Sequence, residues 1–191
     1  MAANELAGHK IGFIGAGNMA EALIKGLIVS QTVDPQRIMA ADPLSDRLAF
    51  METTYGIGVT PDNQSLVTAC DVLVLAVKPQ VAAGVLDAMA PASGAAKLVI
   101  SIAAGVPMAA IESCLNKELR LIRVMPNIPA AVKEAASAIA AGGHATKEDV
   151  DLAMEIFNSI GKSVFIKENY LMDAITGLSG SGPAYIFLIV D

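Results

Sequence analysis

Gly15-Ala16-Gly17-Asn18-Met19-Ala20 constrains the fold of this chain more than any other stretch. Lys10–Gly15, leading into it, reads as a buried strand. From Asn18 to about Ser30, apolar residues at Met19, Leu23, Leu27 and Ile28 fall at helical spacing. A strand that turns straight into a helix needs backbone freedom at Gly15 and room for a ligand's approach at Gly17. It also needs a small residue at Ala20 so that helix and sheet can close up. The start of the helix turns unpaired amides and the positive end of its dipole toward the turn, an arrangement suited to phosphate. By itself Gly-x-Gly-x-x-Ala is a weak pattern that also suits a plain packing turn. Set in a strand, loop, helix and strand order, it points to a dinucleotide.

The rest of the chain supports that setting. A second short strand is expected at Arg37–Ala41, a helix at Asp46–Tyr55, a turn at Gly56–Gly58 and a short helix at Asn63–Ala69. Asp71–Val77, continuously apolar from Val72 on, is a run of the kind buried on both faces of a parallel sheet, with Val81–Met89 as its crossover helix. Leu98–Ile102 leads into a helix at Met108–Leu115, and Arg120–Met125 is a strand ended by Pro126. Thr146 with Asp149 resembles a capping box before the helical positions Val150, Ala153, Met154, Phe157 and Ile160. Ser163–Ile166 is a last strand and Asn169–Thr176 a connecting helix. The expected class is α/β, a Rossmann-type doubly wound and mainly parallel sheet.

Asp42 stands 27 residues after Gly15, at the end of the second strand. A carboxylate there can take the ribose hydroxyls and repel a 2′-phosphate; Asp42-Pro43 also reads as a simple turn.

Composition narrows the partners. With 191 residues, 54% hydrophobic and 17% charged, the chain can bury a large core. A net charge of −6 without a basic run argues against nucleic acid. Uninterrupted apolar runs reach seven residues, far short of the roughly 20 that cross a bilayer. No basic, then apolar leader opens the chain, so a cytoplasmic protein without membrane contact is expected. Cys70 and Cys114 read as free thiols, with no metal site.

Three further motifs join the glycine loop: Ala76-Val77-Lys78-Pro79-Gln80, Arg123–Pro129 and Asp173–Tyr185. Together with Gly12–Met19 the chain resembles pyrroline-5-carboxylate reductases over essentially its whole length. The resemblance implies NADPH or NADH as cofactor, with contacts from Gly15, Ala16, Gly17, Asn18, Met19, Asp42, Asn63, Ala76, Val77, Lys78, Pro79 and Ala104. It implies reduction of 1-pyrroline-5-carboxylate to L-proline, the last step of proline biosynthesis. Substrate would be positioned by Lys78, Asn127, Ser179 and Ser181. Read without the family, Lys78 is also a solvent-facing charge at a turn, and Asn127 an Asx-turn residue. Ser179–Pro183 reads as the Ser/Gly-rich start of a packing helix, with Pro183 at its first position.

The resemblance also sets a domain expectation: 1–167 as the dinucleotide-binding domain and 168–191 as the beginning of an all-α dimerisation and substrate domain. Family members continue through further helices that complete the active site, so these residues alone are expected to bind dinucleotide yet catalyse poorly. The apolar segment Tyr185–Val190 is then expected to pair with a second copy, giving a homodimer or higher oligomer. Two departures from the family lie near the expected site: Ile128 where members commonly have Thr, and Ala135 where they commonly have Gly. The rival readings are a β-hydroxyacid-dehydrogenase-like reductase, against which the Ser179–Tyr185 motif speaks, and a non-catalytic nucleotide-binding fragment.

Overall fold

The computed structural model describes residues 5–92, 94, 97–115, 118–167 and 171–190. An eight-stranded sheet runs through it in the order β3-β2-β1-β4-β5-β6-β7-β8. The strands are β1 Ile11–Ile14, β2 Ile38–Ala41, β3 Gly58–Thr60, β4 Val72–Leu75, β5 Leu98–Ser101, β6 Arg120–Met125, β7 Ala135–Ala141 and β8 Gly161–Phe165. All neighbours pair in parallel except β6 with β7. The mainly parallel, doubly wound architecture is therefore as expected.

Helices cover both faces. On one lie α1 Asn18–Val29, α2 Ser45–Tyr55 and α6 Lys147–Asn158; on the other α3 Asn63–Ala69, α4 Pro79–Met89 and α5 Met108–Cys114. Strands covered this way need apolar side chains on both sides. Accordingly Phe13, Val74 and Ile100 sit in one core with Leu23, Ile156 and Phe157. Leu73, Leu75 and Val99 sit in the other with Leu66, Leu86 and Ile111. Each fully buried residue of this size contributes about 2 kcal/mol of transfer free energy.

Two strands depart from the expectations. The expected turn at Gly56–Gly58 runs directly into a strand that was not expected, Gly58–Thr60 (β3) beside β2, so Asn63 also follows a strand. The alanine-rich Ala135–Ala141 is β7, antiparallel to β6, with Arg123 opposite Ala140. Thr146 caps α6 through the expected box: its side chain accepts from the Asp149 amide, and Asp149 accepts from the Thr146 amide. Cys70 is buried and Cys114 half-buried, both free. Burial pushes the Cys70 thiol up to about 11, which keeps it protonated and unreactive at neutral pH.

The C-terminal end also differs. Ser179–Pro183 is not an open loop before a new helix. Leu171–Ile175 (α7), the π-helical turn Thr176–Gly180 and Gly182–Val190 (α8) form one helical run. The Ser181 amide reaches back five residues to the Thr176 carbonyl at 3.1 Å. Pro183 supplies no amide to the ladder, and small glycines on either side of Ser181 let the turn widen. The expected Ser/Gly-rich start of a helix is thus replaced by a bulge inside a helix. The run Leu171–Val190 is long and apolar enough, with mean hydropathy 1.2, to cross a membrane by length and composition alone. Asp173, Thr176 and Ser179–Gly182 break the apolar residues of this run into short stretches. Its near end is committed to the sheet, because Met172 is fully buried in the core. The far end, Tyr185–Val190, is exposed.

Candidate dinucleotide and substrate cleft

The strand order places a reversal between β1 and β4: the chain proceeds outward through β2 and β3, then returns to the other side of β1. Adjacent crossovers leave opposite faces there, opening a crevice beyond the carboxyl ends of the strands. A cleft of about 580 Å³ occupies that place, lined from the loops after β1, β4, β5 and β6 and by Gly180 of the π turn.

The glycine loop forms one wall. Gly15 has φ +94°, and a Cβ on it would lie 2.7 Å from the Ala76 carbonyl oxygen. Only glycine allows this backbone and lets the ends of β1 and β4 meet. Gly17 caps α1, and a Cβ on it would meet nothing within 4 Å. The two glycines therefore do different work: Gly15 closes the turn and Gly17 leaves space in front of the α1 amides. Ala16 and Ala20 are fully buried beneath them.

Gly17, Asn18 and Met19 line the cleft together with Ala76, Val77, Lys78 and Asn127. Asp42 does not line it but shapes it. One Asp42 oxygen accepts the Ala16 amide at 3.0 Å and the other the Leu44 amide at 3.0 Å. Its ribose and turn readings are therefore compatible, since each oxygen keeps a lone pair. Asn63, Pro79 and Ala104 stand after β3, β4 and β5 without lining the cleft.

Asn127 joins three segments. Its Oδ1 accepts the Ala136 amide at 2.9 Å, bracing the start of β7, and its Nδ2 donates to Ser179 Oγ at 3.2 Å. The Ser179 hydroxyl is thereby left with its own proton to donate. The Ser181 hydroxyl instead donates back to the Thr176 carbonyl at 3.4 Å. Lys78 caps α4 at the β4 edge, exposed.

The structure adds residues that sequence reasoning did not single out. Ile102, Met125, Pro126 and Gly180 supply apolar lining beside Ile128, which the sequence already placed near the site. A Cβ on Gly180 would lie 2.7 Å from Met125 Cε, so the π turn sits directly on the end of β6. Arg123, nearly buried on β6, donates to Asp173 at 3.3 Å and helps hold the same helical run against the sheet. The signal for these was position at a strand's carboxyl end, which applies to apolar residues as well as polar ones. Neither His9 nor His144 lines the cleft. Among the described residues no group of three or more His, Cys, Asp or Glu could hold a metal ion.

Comparison with known proteins agrees with this geometry. Residues 10–105 match the family model described as NADP oxidoreductase coenzyme F420-dependent. A pyrroline-5-carboxylate reductase of Methanosarcina acetivorans is 49% identical over 183 residues, which are 96% of this chain and 67% of that protein. The solved pyrroline-5-carboxylate reductase of Coxiella burnetii superposes with a TM-score of 0.90 at 38% identity, covering 95% of this chain and 67% of that one. The Plasmodium falciparum pyrroline carboxylate reductase, solved with NADP bound, gives 0.86 at 30% identity, covering 96% and 67%. The chain spans about two thirds of the length of the relatives it matches. The glycine loop, the Asn127 bridge and the Ser179 turn thus sit in a fold shared, at high identity, with proteins of one kind, and the chain belongs to the pyrroline-5-carboxylate reductase family.

Proposed function

We propose that the protein reduces the C=N bond of 1-pyrroline-5-carboxylate to L-proline with NADH or NADPH. The observation that carries the reading is the cleft in which Gly17 of the glycine loop and Asn127 stand on one lining, with Ser179 held behind it by Asn127. The open space at Gly17 in front of the α1 amides fits a pyrophosphate. When bound, the reduced nicotinamide supplies the hydride. The chain's own residues bind and orient. Lys78 places positive charge at the β4 edge, and the Ser179 hydroxyl, which accepts from Asn127, keeps its own proton to donate to a substrate carboxylate. Ile102, Met125 and Pro126 exclude water from the apolar side of the cleft. The imine nitrogen carries a proton taken from solvent before binding, so hydride arrival at carbon completes the reaction without an acid in the cleft. The reading includes a cytoplasmic setting and a homodimer or higher oligomer, whose assembly would cover exposed residues of α8 such as Phe187 and Leu188.

Steady-state turnover of the cyclic imine by the full-length protein tests this, with each reduced dinucleotide in turn. Asp42 at the end of β2 leads us to expect NADH to be preferred. Asp42→Ser is expected to erase the preference and to weaken both dinucleotides, because the Ala16 amide loses its acceptor. A wild type preferring NADPH by tenfold, about 1.4 kcal/mol, would contradict the preference. Turnover of a β-hydroxyacid in place of the imine would contradict the function.

A further inference from the structure

The peptide of Ala16, at the bend of the glycine loop, is held at both ends. Its amide donates to Asp42, and its carbonyl accepts Arg47 Nε at 2.5 Å. Arg47 comes from the first turn of α2, 31 residues away, and its direction is fixed from three sides. Its Nη2 donates to Glu21 of α1 at 2.5 Å. Its guanidinium carbon lies 5.0 Å from the centre of the Phe50 ring. The other Glu21 oxygen accepts the Tyr55 hydroxyl at 2.8 Å, and the Tyr55 ring meets Phe50 edge-on at 6.2 Å and 84°. The loop, the first turns of α1 and both ends of α2 are thereby tied into one polar network that is only partly exposed.

From this geometry we infer that Arg47, oriented by Glu21 and Tyr55, is a positioning residue for the dinucleotide seat: it fixes the Ala16 peptide and is not the ligand of a 2′-phosphate. The inference deepens the proposed function and rests on its dinucleotide half only. A basic residue just after the second strand of such a sheet is the natural candidate for a 2′-phosphate. Here, however, its Nε is committed to the loop and one Nη to a carboxylate. Swinging out to a phosphate would strip the Ala16 carbonyl and Glu21 of their partner and leave the Phe50 face. The electrostatics agree with a network built to stay closed. Burial alone would raise the Glu21 carboxyl, but the bonds from Arg47 and Tyr55 outweigh it and hold it below 4.5. Burial, then the bond to Glu21, push the Tyr55 hydroxyl up to about 12, so it remains a donor. Fixing the Ala16 carbonyl sets the plane of the peptide that joins it to Gly17, and hence the approach to the α1 amides.

The test is binding of NADH and NADPH to the full-length protein and to Arg47→Ala, Arg47→Lys, Glu21→Gln and Tyr55→Phe. Arg47→Ala should weaken both dinucleotides by about tenfold, the scale of a lost charge-assisted hydrogen bond, and leave their affinity ratio unchanged. Arg47→Lys should fall between, since one ammonium cannot reproduce the fork. Tyr55→Phe and Glu21→Gln, which leave Arg47 in place, should weaken both cofactors in parallel by smaller factors and keep the wild-type melting temperature within a few degrees. They decide the matter if Arg47→Ala does not fold. A selective loss of NADPH affinity would overturn the inference by making Arg47 a phosphate ligand. Unchanged affinity for both in all the folded variants would overturn it as well. A wild type that binds neither dinucleotide would instead defeat the reading on which it rests.

Discussion

Gly17→Val is expected to abolish dinucleotide binding in a protein that remains folded. Nothing lies within 4 Å of a Cβ at this position, so the side chain points into the cleft and strains nothing in the free protein. The Gly17 backbone is extended, with φ −68° and ψ −175°, which valine adopts readily. The cost appears only with ligand, when branched methyl groups stand where the pyrophosphate must approach the α1 amides. Affinity should fall at least a hundredfold, about 2.7 kcal/mol, with the melting temperature little changed. Calorimetric titration beside a thermal melt reads both. Gly15 is the internal contrast, since its φ of +94° and its approach to Ala76 make it a folding residue. Unchanged affinity in a folded Gly17→Val protein would move the ligand away from this loop.

The largest expected effect on stability lies on the far side of the molecule. Asp149 is fully buried at the start of α6, where Arg120 of β6 grips it through both Nε and Nη2, the Nε bond at 3.0 Å. The Thr146 amide donates to it at 2.9 Å. Asp149→Ala removes the ion pair and the capping box together and should cost about 3 kcal/mol, read from denaturant unfolding. A loss below about 1 kcal/mol would mean that the pair is hydrated and idle. The same site gives a pH dependence. Burial acts to raise the Asp149 carboxyl, but the bonds from Arg120 and Thr146 prevail and hold it below 3.8. A carboxyl lowered on folding stabilises fully above its unfolded value, near 3.9, and this contribution is lost as pH falls through the folded value. The stability gap between wild type and Asp149→Asn should therefore narrow below about pH 4.

What could be read in the sequence was what local chemistry dictates. The glycine loop, the apolar strands Val72–Leu75 and Leu98–Ser101 and the Thr146–Asp149 box each declare themselves within a few residues. β3 and β7 do not. Gly58–Thr60 is three half-buried residues, and Ala135–Ala141 has mostly alanines where β-branched residues would be expected. Both are strands because a neighbour offers a free edge. The Ser179–Pro183 stretch carries the composition of a loop, yet its amides find helical acceptors once Met172 is anchored in the core. Arg47, Glu21 and Tyr55 were illegible for another reason. They are separated by 26 and 34 residues from the groups they meet, and only the packing of α2 against α1 brings them together.

In the proposed reaction hydride passes, within this cleft, from a nicotinamide to an imine carbon. The most direct measurement supplies NADH deuterated at the transferring position to the full-length protein with 1-pyrroline-5-carboxylate and follows the label into product. The expected product is proline carrying one deuterium at the former imine carbon for each dinucleotide oxidised, with no labelled product from Gly17→Val. Unlabelled proline, or dinucleotide oxidation that proceeds equally without the imine, would contradict it.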